Sequence, residues 1–135
     1  MEDYIWLILT VFILLVISYY KSTKQTEDAG GSEAEKELHG IGGIYDGQKI
    51  TVRQEIVIGR DPHKCSIIYP EGAKGVSAVH CSVHVKDTKV ELTDLSSTYG
   101  TFKGTGERLV PNRAYSLEQG DSFYVGAKEN TFVVR

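Results

Sequence analysis

Hydrophobic and polar positions divide the chain into three stretches. Residues 4–20 read YIWLILTVFILLVISYY, in which Thr10 and Ser18 are the only polar positions that are not aromatic. Residues 21–38 read KSTKQTEDAGGSEAEKEL and contain no aromatic residue and no β-branched aliphatic. From Gly40 onward, short runs rich in Val, Ile, Thr, Tyr and Phe alternate with turn residues, and helical periodicity is absent. Strands are predicted at residues 41–45, 49–53, 55–58, 66–69, 79–85, 89–94, 101–103, 107–110, 113–116, 122–125 and 131–134. Asp46-Gly47 marks a hairpin between the first two. Alternation in CSVHVK puts Cys81, Val83 and Val85 on one face and Ser82, His84 and Lys86 on the other. Many short strands separated by turns predict an all-β fold, an antiparallel sandwich.

The apolar run predicts a transmembrane helix over residues 4–20. At 1.5 Å per residue it is about 25 Å long, near the lower limit for a bilayer. Tyr4 and Trp6 at one end, and Tyr19 and Tyr20 at the other, suit the two interfaces, and Lys21 and Lys24 can reach headgroups. A cleaved signal peptide would begin with positive charge and end at small residues. Here the start is Met1-Glu2-Asp3 and the end is Tyr19-Tyr20-Lys21-Ser22. A buried core helix is the remaining alternative, but no polar face divides the run. Acid before it and lysines after it orient the rest of the chain toward the cytoplasm. The expected organisation is a short outer end (1–3), a span (4–20), a flexible linker (21–39) and a folded domain (40–135) in a single-pass protein of the cell membrane. Within the linker, Gly30-Gly31-Ser32 interrupts any regular pattern, and Ser32-Glu33-Ala34-Glu35 is the signature of a short capped turn through Leu38.

Charge narrows the choice of partners. The net charge is −3, and from His39 onward twelve Lys/Arg face eleven Asp/Glu, so no basic field draws in nucleic acid. Two cysteines, Cys65 and Cys81, do not make a disulfide framework and read as small buried residues. His63, Cys65, His80, Cys81 and His84 lack the paired spacing of a structural zinc site, and alternation separates Cys81 from His84. No metal and no cofactor are expected. No nucleophile–base arrangement is recognisable either, which argues against an enzyme.

The chemistry concentrates in three irregular pieces, residues 59–65, 70–78 and 95–100. The first opens Gly59-Arg60-Asp61-Pro62. The second closes Val76-Ser77-Ala78-Val79-His80. The third lies within Asp94-Leu95-Ser96-Ser97-Thr98-Tyr99-Gly100-Thr101-Phe102. Gly-Arg, then Ser-x-x-His, then Asp-Leu-x-Ser-Thr-x-Gly-Thr-Phe, in that order, resembles the forkhead-associated (FHA) domain family over roughly residues 42–135.

The resemblance implies a sandwich of about eleven strands that recognises phosphothreonine through loops at one end. Arg60 would bind the phosphate, while Ser77 and Thr98 would donate hydroxyl hydrogen bonds to it. Gly59 and His80 would support the loops, and Asp94, Gly100 and Thr101 would shape the turn presenting Thr98. The chemistry is consistent: a phosphate dianion suits a planar, permanently charged guanidinium that bonds two oxygens at once. Lys64 lies on the same loops and adds charge. The sequence departs from the family at Tyr99, where Asn usually holds the peptide backbone, since one phenolic hydroxyl cannot copy a carboxamide's donor and acceptor. It departs again at Ala78, where many members carry a polar residue. The implied role is a membrane-anchored adaptor that recruits proteins phosphorylated by a Ser/Thr kinase. The rival role is a phosphate-independent scaffold subunit of a membrane assembly. Thr23 or Thr26, if phosphorylated, would provide a ligand for self-association.

Overall fold

The computed structural model describes residues 2–28 and 34–135, with side chains for 4–19 and 34–135. It divides into two units, 1–33 and 34–135. The first contains one helix, α1 (Glu2–Asp28). The helix therefore continues through residues 21–28, which the sequence reading gave to a flexible linker. KSTKQTED has no Gly or Pro, and extending an existing helix through Lys, Gln and Glu costs little. Side chains from Tyr4 to Tyr19 are exposed all round the helix, as the absence of a polar face predicts. Among the described residues no helix is long and apolar enough to cross a membrane. The transmembrane helix expected over 4–20 is thus not supplied by the structure. At about 25 Å, its apolar part falls short of a hydrocarbon core of about 30 Å.

The second unit is a β-sandwich of two five-stranded sheets. Its strands are β1 (Lys36–Ile41), β2 (Lys49–Val52), β3 (Glu55–Gly59), β4 (Ile67–Ile68), β5 (Cys81–Lys86), β6 (Lys89–Asp94), β7 (Thr101–Lys103), β8 (Ala114–Leu117), β9 (Ser122–Val125) and β10 (Thr131–Val134). One sheet runs β2-β1-β10-β9-β7 and the other β4-β3-β5-β6-β8. All pairings are antiparallel except β3 with β4, where Ile58 faces Ile67 in a parallel register. That pair qualifies the antiparallel expectation, and the described strands number ten rather than eleven.

Two differences have clear causes. The first strand begins at Lys36, inside the predicted linker and in place of the predicted capped turn. KELHGI carries little β propensity of its own, and the strand exists because Leu38 is wholly buried between Ile50 on β2 and Val134 on β10. The predicted strand at 41–45 is instead a 3₁₀ turn, Gly43–Tyr45. Gly40 permits this turn to close over it, because a Cβ there would lie 1.9 Å from the Tyr45 carbonyl oxygen. The predicted strand at 107–110 reduces to a single bridge between Phe102 and Arg108, with Leu109 buried.

Alternation in β5 holds for the buried Cys81, Val83 and Val85 and for the exposed His84 and Lys86, whereas Ser82 is also buried. Phe123 and Phe132 stack at 5.6 Å in the centre of the core, joined by Ile58, Ile67 and Leu92. Burying each such side chain contributes about 1.5–3 kcal/mol. Both cysteines are free and buried, and burial raises their thiol pKa values above the ordinary range. They are inert thiols.

Candidate functional site

The loops after β3, β4 and β6 are joined to one another by main-chain and side-chain hydrogen bonds. Arg60 and Asp61 donate their N–H groups to the carbonyls of Ser77 (3.1 Å) and Ala78 (3.0 Å). This apposition explains Gly59, since a Cβ there would sit 2.3 Å from the Ala78 oxygen and force the two loops apart. The N–H of Thr98 then donates to Ser77 Oγ at 3.0 Å, bringing in the third loop.

His80 locks this arrangement from beneath. It is wholly buried; its Nδ1 accepts the Ser77 N–H at 3.0 Å, and its Nε2 contacts the Gly100 carbonyl oxygen at 2.8 Å. Only the neutral imidazole protonated on Nε2 satisfies both bonds. Burial lowers the His80 pKa below its ordinary value of 6.5, which favours that neutral form.

Asp94 organises the β6–β7 turn. Its buried carboxylate accepts the Ser97 hydroxyl, the Ser97 N–H (3.2 Å) and the Thr101 hydroxyl (2.7 Å). Ser97 Oγ in turn accepts the Gly100 N–H at 3.0 Å. From outside, Asn112 donates its N–H to the Asp94 carbonyl at 2.8 Å and its amide to Ser96 Oγ at 3.0 Å. Ser96 and Asn112 both have positive φ, a conformation that Asn adopts more readily than most residues. Gly100 also has positive φ (86°). The outcome is a turn whose tip, Thr98-Tyr99, projects into solvent while its base is fixed.

Arg60 is half-buried and turned along the second loop. Its Nε donates to the Val76 carbonyl at 2.6 Å, and one terminal nitrogen reaches the Glu71 carbonyl at a weak 3.5 Å. A guanidinium has five N–H donors, so the remaining terminal donors are available to a ligand. The Ser77 hydroxyl uses a lone pair toward Thr98, leaving its own hydrogen to donate. The Thr98 hydroxyl is exposed. One guanidinium and two hydroxyls therefore lie on directly bonded loops, a donor arrangement that suits an anionic oxygen cluster.

The other predicted site residues divide into two groups. Gly59, His80, Asp94, Gly100 and Thr101 are built into the hydrogen-bonded scaffold. Lys64, Ala78 and Tyr99 are exposed, and Ala78 acts through its carbonyl rather than its methyl group. Sequence reasoning missed Ser97 and Asn112. Asp94 followed by Ser three residues later is the spacing of a side-chain-capped turn and was a readable signal for Ser97. Asn112 had none, because its partners are distant in sequence.

The FHA domain family model matches residues 56–126, more than half of the chain, and so takes in all of these loops. No curated protein matches. Solved structures do. The FHA domain of the CT664 protein of Chlamydia trachomatis is 18% identical, with a TM-score of 0.61, over 75% of this chain and 96% of its own. The N-terminal FHA domain of Rad53p from S. cerevisiae, solved with a phosphothreonine peptide, is 18% identical, with a TM-score of 0.58, over 75% and 90%. A further domain, from a structural and functional analysis of phosphothreonine-dependent FHA interactions, is 25% identical with a TM-score of 0.59, over 76% and 96%. By the family match, the shared fold and the arrangement of its three loops, this chain belongs to the FHA domain family.

Proposed function

We propose that the sandwich binds phosphothreonine on partner proteins, with Arg60, Ser77 and Thr98 as the phosphate contacts. The observation that carries this reading is the direct bonding of the three loops: Arg60 Nε on the carbonyl preceding Ser77, and Ser77 Oγ on the Thr98 N–H. A half-buried arginine already held by the neighbouring loop loses little freedom when a phosphate arrives. Both nitrogens of His80 are occupied by the main chain, which supports a binding role over acid–base catalysis. The relatives solved with, or studied for, phosphothreonine binding support the same reading.

Titration of the full chain with a fluorescent phosphothreonine peptide tests it. Saturable binding is expected, with Arg60→Ala weakening it at least tenfold, as removal of a charge-assisted bond of about 1.5–3 kcal/mol implies. The matched phosphoserine peptide should bind about fourfold more weakly, the worth of one buried methyl group. Equal behaviour of wild type and Arg60→Ala would refute the phosphate role.

The adaptor reading extends this one to the membrane. The exposed apolar side chains from Tyr4 to Tyr19 support membrane association of α1, with the sandwich on the cytoplasmic side receiving products of a Ser/Thr kinase. Extraction of membranes with alkaline carbonate distinguishes an embedded chain, which stays with the lipid, from a soluble one. Self-association through Thr23 or Thr26, whose side chains lie outside those described, is refuted if the double alanine variant self-associates fully in kinase-active cells. Tyr99 favours one rival reading, a scaffold that binds without phosphate; partners retained after phosphatase treatment would support it.

A further inference from the structure

Arg108 lies against the turn that presents Thr98 and Tyr99. Its backbone forms the bridge to Phe102, and its guanidinium carbon is 5.9 Å from the centre of the Phe102 ring. A Cβ placed on Gly100 would fall 2.5 Å from Arg108 Nε and 3.0 Å from the guanidinium carbon. The arginine therefore fills the space that any other residue at position 100 would need. The main chain it rests on is firmly placed, because the Gly100 carbonyl meets both His80 Nε2 and the Gly126 N–H.

Arg108 is exposed and, among the described residues, makes no ion pair, whereas the nearby Lys103 is paired with Glu107 at 3.5 Å. A guanidinium packed against a ring and a glycine, with no carboxylate of its own, keeps its donor fork for a ligand. Its placement also limits the ordering cost of binding.

The position suits a peptide. Gly100 is two residues beyond Thr98, so their Cα atoms are at most about 7.6 Å apart. An extended peptide covers that distance in about two or three residues. We propose that Arg108 is a second anion-recognition point that selects an acidic side chain, aspartate or glutamate, close to the phosphothreonine in the bound segment. This inference rests on the phosphothreonine reading and adds the flanking chemistry of the ligand.

The test is a set of phosphothreonine peptides, each carrying one glutamate, glutamine or lysine at a position near the phosphothreonine, titrated against the full chain. Wild type should prefer glutamate over glutamine by about two- to fivefold at one position, the range of an exposed charge pair. High salt should reduce that preference. Arg108→Gln should abolish the preference while leaving affinity for the glutamine peptide within about twofold. Arg108→Glu should shift preference to lysine, and Arg108→Lys should retain part of the original preference. A glutamate preference that survives in Arg108→Gln, or an equal loss for acidic and neutral peptides, overturns the proposal. The phosphothreonine reading then stands on its own if the neutral peptide still binds through Arg60. If no phosphothreonine peptide binds wild type, both readings fall.

Discussion

The turn after β6 and the loop after β4 both flank the same site, yet they are held by different means. In the turn, Asp94, Ser97, Thr101 and Gly100 form a closed set of buried or main-chain hydrogen bonds that no ligand needs to disturb. In the loop, Val76 is anchored in the core, but its carbonyl, and more weakly that of Glu71, is bonded by the side chain of Arg60, which is also the proposed phosphate ligand. Thr98 is thus presented on a rigid platform, while the segment before Ser77 is tied to the group that would meet the ligand. Changes in the turn should act on stability first and on binding as a consequence. Changes at Arg60 should do the reverse.

Asp94→Ala should have the largest effect, because it leaves the Ser97 and Thr101 hydroxyls without their buried acceptor. A loss of about 3 kcal/mol or more is expected, read as a lower urea midpoint. Gly59→Ala should cost about 1–3 kcal/mol, since the new Cβ would press on the Ala78 carbonyl, and it should weaken peptide binding in the same variant. Acid should loosen the same end of the domain. The neutral His80 has a depressed pKa in the folded state, so the unfolded chain binds the proton more readily. The stability it contributes is complete above pH 6.5 and is lost as pH falls through that value toward the lower folded pKa, which pH-dependent thermal melts would show. Arg60→Gln should lower stability by only about 1 kcal/mol through the lost Val76 bond, while binding falls at least tenfold, inverting the pattern of Asp94→Ala. Tyr99→Asn should change stability by less than about 0.5 kcal/mol, because the side chain is 64% exposed, and should raise peptide affinity if a carboxamide is what the site lacks.

Much of the site was legible because its residues are local in the sequence. Gly59-Arg60, Ser77 with His80, and Asp94 through Thr101 each announce a turn or loop with polar donors, and the structure builds each into the linked loops. What was not legible depended on residues far apart. Arg108 meets Gly100 only because residues 107–109 fold back along β7, as the bridge from Arg108 to Phe102 shows. Asn112 braces Ser96 across sixteen positions. The bond of Arg60 to the Val76 carbonyl depends on the close passage of two loops that a glycine allows.

The same division runs through the fold. Turn residues and period-two alternation were enough to determine the all-β class of the folded domain and the inward Cys81, Val83 and Val85 of β5, because these follow from backbone geometry within a few residues. Only the tertiary structure decided that Lys36–Ile41 is a strand, that β4 lies parallel to β3, and that residues 107–110 bridge without forming a strand. Local preference for a strand is weak at Lys36–Ile41, where burial of Leu38 between Ile50 and Val134 tips the balance, while the direction of β4 and the pairing of residues 107–110 are set by partners outside those segments.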